Sequence, residues 1–264
     1  MISAPLQLYV GTVLIGDPLS PPTIKATSGF NGNTMIHGKD PNQDATTNFY
    51  IGIKNLVFDS NNINKDTNFV ILDWSVSQAT QLANCEFNMP QFSSGHTGII
   101  MPEGGSGTFM GDLKINGGNV GIDMSNQQYL IKGVVFQSCT TAIKITSCFD
   151  CMVQGCSFQD HTTAINMNGI SGSLVVLDSS AKDVGAVIQT TNSGTGARSL
   201  IIENLQNTGT GSSRTVVDAS GNSLLSGGVT DTWVMGNTVS YMSTLLDLTN
   251  NVSTLLEGLQ PGRT

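Results

Sequence analysis

The chain has 264 residues, of which 39% are hydrophobic, 6% aromatic and 11% charged, with a formal net charge of −8; this is enough apolar material for a sizeable core, and the scarcity of Glu- and Lys-rich stretches argues against a helical bundle. The acidic balance and the absence of a basic stripe argue against a nucleic-acid partner, and there is no apolar run of about 18 residues to cross a membrane. The Val, Ile and Leu content argues against disorder, which leaves a β-rich globular protein.

The first stretch, MISAPLQLYVGTVLIGDP (1–18), has neither a basic n-region nor a clean apolar h-region, so it does not read as a signal peptide. It reads as the inside of a domain that starts abruptly at Met1. GDPLSPPT (16–23) is a turn rather than a phosphate cradle. From residue 53 a unit of the form apolar–x–(Asn/Asp/Gly)–apolar–x–(Phe/Ile) recurs. It reads IKNLVF at 53–58, LANCEF at 82–87, MGDLKI at 110–115, IKGVVF at 131–136 and VQGCSF at 153–158. The closing residues Phe58, Phe87, Ile115, Phe136 and Phe158 are spaced by 29, 28, 21 and 22. VVLDSS (175–180) and IENLQN (202–207) read as weaker copies. A second unit lags behind: VGIDM at 120–124, TAIKI at 141–145, TAINM at 163–167 and GAVIQ at 185–189. Its small residues are Gly121, Ala142, Ala164 and Ala186.

Two short strand signals per period of 20–30 residues point to a solenoid. The leucine frame of a leucine-rich repeat is missing. The expected fold is all-β, a right-handed parallel β-helix in one domain over 1–264, with regular coils over about 50–190 and an irregular part over 191–264. Inward Ile, Val, Phe and Ala should form ladders, and Asn and Gly should make the bends, because they tolerate positive φ. The longer coils at 53–115 carry extra material at 73–81 and 88–109, expected as loops on one face. The last stretch shows no obvious polar cap and reads as running on toward a partner domain.

Signals of chemistry are sparse. The five cysteines, Cys85, Cys139, Cys148, Cys151 and Cys156, read as buried thiols or one local disulfide across CFDC (148–151) rather than a metal or redox site. His37, His96 and His161 share no metal-ligand spacing, and His161 reads as a solvated turn residue. No cofactor and no metal are expected. The acids of the long coils, Asp73, Glu86, Glu103, Asp112 and Asp123, yield no evident catalytic pair, and no Lys or Arg clusters with them. The amides Gln78 and Gln81, and Gln127 and Gln128, each precede a core strand. Amides suit sugar hydroxyls or a positioned water, but the pattern alone favours stacking ladders or solvent.

Several strings together carry a family resemblance. PLQLYVGTVLIGDPLSPPTIKA (5–26), NFYIGIKNLVFD (48–59), DWSVSQATQLANCEF (73–87) and GGSGTFMGDLKINGGNVGIDMSNQQYLIKGVVFQSCTTAIKI (104–145) are similar to the first pectate-lyase-like β-helix domain of the fungal exo-β-1,3-glucanases, glycoside hydrolase family 55. The resemblance is strong over roughly 3–170. It implies an extracellular enzyme that hydrolyses β-1,3-glucan with inversion, in a cleft between two β-helix lobes. It implies that Gln78, Ser106 and Gln127, with Gln128 as the neighbouring alternative, hold the attacking water. Asp73, Trp74, Glu103 and Gln128 are then candidates to bind substrate. The family's general acid is expected on the second lobe, so the chain reads as one lobe, beginning after the expected secretion signal and weak or inactive alone. Two other classes remain open: another polysaccharide-active β-helix such as a pectin lyase or hydrolase, and a noncatalytic binding or structural solenoid.

Overall fold

A computed structural model describes residues 1–169, 172–191 and 199–236. Short strands wind into a parallel β-helix with three faces. The first face is built from Leu6–Gln7, Thr34–His37, Phe69–Asp73, His96–Met101, Val120–Ser125 and Thr141–Ser147. The second stacks Val13–Ile15, Gly52–Lys54, Gln81–Ala83, Thr108–Gly111, Gln128–Lys132 and Asp150–Gln154. The third stacks Thr23–Lys25, Val57–Asp59, Glu86–Asn88, Lys114–Asn116 and Val135–Gln137. Later strands, Ser157–Met167, Ser173–Thr190 and Ser199–Thr208, bend round corners and serve more than one face. Each strand pairs in parallel with its counterpart one coil away. Antiparallel pairing enters near the end, where Val229–Gly236 covers the edge of Ser199–Thr208 and Ser223–Leu225 pairs with Val216–Asp218; a covered edge no longer offers its backbone to another chain.

The recurring hexapeptide is the corner between the second and third faces. Its Asn, Asp or Gly is one left-handed residue per coil: Asn55, Asn84, Asp112, Gly133, Gly155, Asp178 and Asn204 all have φ between 48° and 64°. Short polar side chains pay little for that conformation and bond along the stack. Asn84 Nδ2 donates to Asn55 Oδ1 at 2.9 Å, and Asn204 Nδ2 donates to Asp178 Oδ1 at 2.8 Å. The closing residues form an interior ladder, Ile24–Phe58–Phe87–Ile115–Phe136–Phe158–Ala181. Phe136 and Phe158 stack with centroids 5.1 Å apart and planes 8° from parallel, and every Phe in the ladder is fully buried.

The structure corrects four expectations. The coil at 175–190 is shifted by one residue: Phe158 stands opposite Ala181 and Ala164 opposite Val187, so the unit is VLDSSA (176–181), not VVLDSS. A one-residue slip exchanges inward and outward side chains, and Ala181 in place of Phe hides the frame. The coiling also begins well before residue 50, at Leu6, Val13 and Thr23. The extra material of the long coils divides between two corners, 38–51, 74–80 and 102–107 at one and 60–68 and 89–95 at another, rather than lying on one face. Finally, His161 is not solvated: its ring is buried, with Nδ1 2.9 Å from the carbonyl oxygen of Cys139 and Nε2 3.2 Å from that of Phe136. The expectation for the last stretch falls largely on 237–264, outside the described residues. Among the described residues no helix is long and apolar enough to cross a membrane.

Candidate functional site

The corner leading from the first face to the second collects the predicted amides. Thr108 pairs with Tyr129, Gln128 with Asp150, and Leu82 with Met110. Carried back to the corner, this register sets Gln78, Ser106 and Gln127 at one position on three successive coils. Two contacts fix it: Ser106 Oγ donates to Gln127 Oε1 at 2.7 Å, and the N–H of Gly107 donates to the carbonyl of Gln128 at 3.1 Å. At a coil spacing of about 4.8 Å, the three polar side chains form a column about 10 Å long. Gln78 is exposed, and Ser106 and Gln127 are half-buried.

Close packing holds the column. A Cβ on Gly105 would lie 1.8 Å from Ser77 Oγ, and one on Gly104 would lie 2.7 Å from the carbonyl oxygen of Val76. Two glycines therefore let the 104–107 turn settle directly on 76–78. Ser77, fully buried, donates to Gln78 Oε1 and orients that amide. Beneath Gln127, buried Asn126 accepts from the Gln127 N–H at 2.7 Å through Oδ1. Its Nδ2 lies 2.8 Å from Met101 Sδ and 3.4 Å from Thr108 Oγ1. Sequence reasoning missed Ser77, Asn126, Gly104 and Gly105 as supports. The only signal was their adjacency to the amides in SVSQ, GGSG and SNQQ.

Beside the column a groove of about 410 Å³ opens on the second face, lined by Gly107, Phe109, Gln128, Leu130, Asp150 and Met152 among others. Phe109, Leu130 and Met152 are register partners and half-buried, so they form an apolar floor. Gln128 and Asp150 are exposed at its rim. A polar edge next to an apolar floor matches a pyranose ring, which carries hydroxyls round its edge and C–H groups on its faces.

The remaining candidates are dispersed. Trp74 is 0% exposed; the expectation that it binds substrate is corrected, because its indole is packed in the core, against Gly38. Asp73 Oδ1 accepts from the N–H of Ser75 at 3.1 Å and from its hydroxyl at 2.5 Å. Glu103 is exposed and paired with Lys39. Asp123 is 2.8 Å from Lys144 Nζ, and Glu86 accepts from Asn88. Asp112 is a corner residue with φ 55°. Lys39–Glu103 and Lys25–Asp59 show that basic residues do pair with long-coil acids; the partners are 64 and 34 residues apart in sequence and meet only through coiling. The five thiols are all buried and free. Burial pushes Cys85 and Cys156 up to about 11 and Cys139 up to about 12. Cys148 is held below the ordinary thiol value by a hydrogen bond from Cys151. Among the described residues no group of three or more His, Cys, Asp or Glu is placed to hold a metal.

Three parallel faces of short strands, bent at single left-handed residues, with a polar column and an apolar groove at one corner, define a pectate-lyase-like β-helix. Residues 1–166 match the family described as rhamnogalacturonase A/epimerase, pectate lyase-like, and the chain belongs to it. It is similar to a protein of Arthroderma benhamiae named probable glucan endo-1,3-beta-glucosidase, 34% identical over 256 residues, which cover 90% of this chain and 29% of that protein. It is also similar to a glucan 1,3-beta-glucosidase of Cochliobolus carbonum, 32% identical over 258 residues, covering 90% of this chain and 32% of that protein. A protein of Penicillium expansum named non-secreted LysM effector LysM19 is 28% identical over 223 residues, covering 78% of this chain and 18% of that protein. The chain thus spans less than a third of the length of each of these relatives. The two glucanase relatives agree with the resemblance carried by the motifs.

Proposed function

We propose that this chain forms one wall of a β-1,3-glucan-hydrolysing site, in which Gln78, Ser106 and Gln127 hold the water that attacks the anomeric carbon. The observation that carries this reading is the column itself: three predicted residues, 49 positions apart at the extremes, meet at one corner, with Ser106 bonded to Gln127 at 2.7 Å. In an inverting hydrolysis the water oxygen bonds to C1 as the glycosidic C–O bond breaks, the proton that the water sheds passes to a carboxylate base or to solvent, and an acid protonates the departing oxygen. Amides and a hydroxyl orient such a water but cannot supply that proton. Asp73, Glu86, Glu103 and Asp123 are each engaged in a bond of their own. On the family resemblance the acid is assigned to a second β-helix lobe facing this wall, and the protein to an extracellular setting where such glucans occur.

The test is glucose release from a soluble β-1,3-glucan, alongside binding of β-1,3-linked glucose oligomers, by the purified chain and its Gln78→Ala and Gln127→Ala variants. Binding without turnover, lost in the variants, is the expected result. Turnover by the chain alone, lost in Gln78→Ala, would uphold the column and overturn the assignment of the acid to another lobe; Asp150 in the groove would then be the first acid to replace. No oligomer binding by the folded chain would sink the reading.

A further inference from the structure

The bend that opens the second face repeats a left-handed residue on four successive coils: Gly11, Tyr50, Ala79 and Gly107, with φ of 84°, 60°, 56° and 70°. Two are glycine, which that conformation favours, and one is alanine, with the smallest side chain after it. A tyrosine there runs against the pattern, since a bulky side chain disfavours positive φ. Packing does not account for it. The Tyr50 side chain is 66% exposed, with Phe49 standing edge-on at 6.1 Å. Phe92 shares this exposure and positive φ on a different corner, so what singles out Tyr50 is its place beside the column. At the other end of the column, Phe149 occupies the position one coil beyond Gln127; its N–H donates to the Gln127 carbonyl at 2.7 Å, and its side chain is 67% exposed. An exposed aromatic thus stands one coil outside the polar column at each end. The two are four coils apart, about 19 Å along the axis.

We propose that Tyr50 and Phe149 are stacking platforms for sugar rings of a β-linked glucan that lies along the solenoid axis across Gln78, Ser106 and Gln127. This rests on the reading of the column as a glucan site. A β-linked glucose ring presents C–H groups on both faces, which pack on an aromatic face, while its equatorial hydroxyls reach the amides. Only an oligomer long enough to span the column reaches both platforms.

The test is calorimetric titration of the full chain with the β-1,3-linked glucose trimer and hexamer. The variants are Tyr50→Gly, Phe149→Ala and the double, with Phe92→Gly as control; Phe92 is another exposed aromatic with positive φ, 85% exposed, on a different corner. Each platform variant should bind the hexamer about three- to tenfold more weakly and the trimer with little change. Tyr50→Gly relieves the bend, so its melting temperature should not fall, which separates lost contact from lost structure. Hexamer affinity unaltered in the double variant, with Gln127→Ala still abolishing binding, would overturn the platforms and leave the column standing. Equal losses in Phe92→Gly would also overturn them. No binding of either oligomer by the unaltered chain would overturn both.

Discussion

Gly105→Ala tests whether the column depends on the two-glycine contact beneath it. The added methyl would sit 1.8 Å from Ser77 Oγ, 2.7 Å from Ser77 Cβ and 3.1 Å from Gln78 Oε1. Real contacts of this kind do not fall below 3.0 Å, so Ser77 or the 104–107 turn must move by more than about 1 Å. Ser77 is fully buried, and rotating its hydroxyl would still leave its Cβ 2.7 Å from the new methyl. Overpacking of this sort costs about 1–3 kcal/mol, which for a chain of this size lowers the melting temperature by roughly 2–12 °C. The same displacement moves Ser106 out of reach of Gln127 and turns the Gln78 amide, so oligomer affinity should fall about tenfold or more. Gly107→Ala is the control: nothing but Gln78 Cγ, at 3.6 Å, would meet its methyl, so its cost is the positive φ alone, about 1 kcal/mol. Thermal unfolding by circular dichroism reads the first quantity and titration the second. Ser77→Gly in the Gly105→Ala background removes the clashing atoms and should restore stability beyond what the two single changes predict by addition. A Gly105→Ala chain with wild-type melting and affinity would refute the reasoning.

Three further outcomes follow from the core and its buried groups. Phe158→Ala, which removes one ring of the stacked pair with Phe136, should cost about 3–5 kcal/mol in urea unfolding, more than a truncation of exposed Phe92; equal effects would contradict the ladder. His96 and His161 are held below the ordinary imidazole value by burial, although carbonyls of Asn64 and Cys139 oppose the shift. The unfolded chain then takes up protons near pH 6.5 that the folded chain refuses, so stability is fully present above that pH and declines as the pH falls toward the folded values. A melting temperature that does not drop between pH 7.5 and 5.5, or drops equally in a His96→Gln/His161→Gln chain, would count against this. Cys85, Cys139 and Cys156 should resist alkylation at pH 8 until the chain is unfolded, because burial removes both access and thiolate; mass spectrometry of the labelled native chain decides it.

The parts of the fold that could be read in advance are those where coils pack on one another. The bend between the second and third faces is a single residue in every coil, so Asn55, Asn84, Asp112, Gly133 and Gly155 stay a fixed three residues ahead of Phe58, Phe87, Ile115, Phe136 and Phe158. The other two corners vary in length, from the long 38–51 segment to the two residues 126–127. Strands separated by them lose their common frame until the coils shorten after residue 115. Where Ala181 replaces Phe the frame slipped by one, because Val175 and Val176 are equally good apolar starts and burial alone distinguishes them.

The column was less legible, and for a related reason. Residues that stack on their counterparts repeat, since each rung needs the same shape above and below. On the proposed reading Gln78, Ser106 and Gln127 face a ligand and are released from that demand; the corner position they share runs Val10, Phe49, Gln78, Ser106, Gln127 and Phe149, with little chemistry common to the series. Periodicity cannot find such a set, so Gln78, Ser106 and Gln127 came from the family motifs, and Trp74 was misplaced because an indole beside polar residues looks the same whether it points in or out. What betrays the set in the structure is departure from the repeat: a tyrosine where the bend wants glycine, and amides where neighbouring coils carry aromatic rings. In a solenoid the useful question at each register position is therefore which residue fails to match its neighbours on the coils above and below, because packing explains the matches and leaves the mismatches to function.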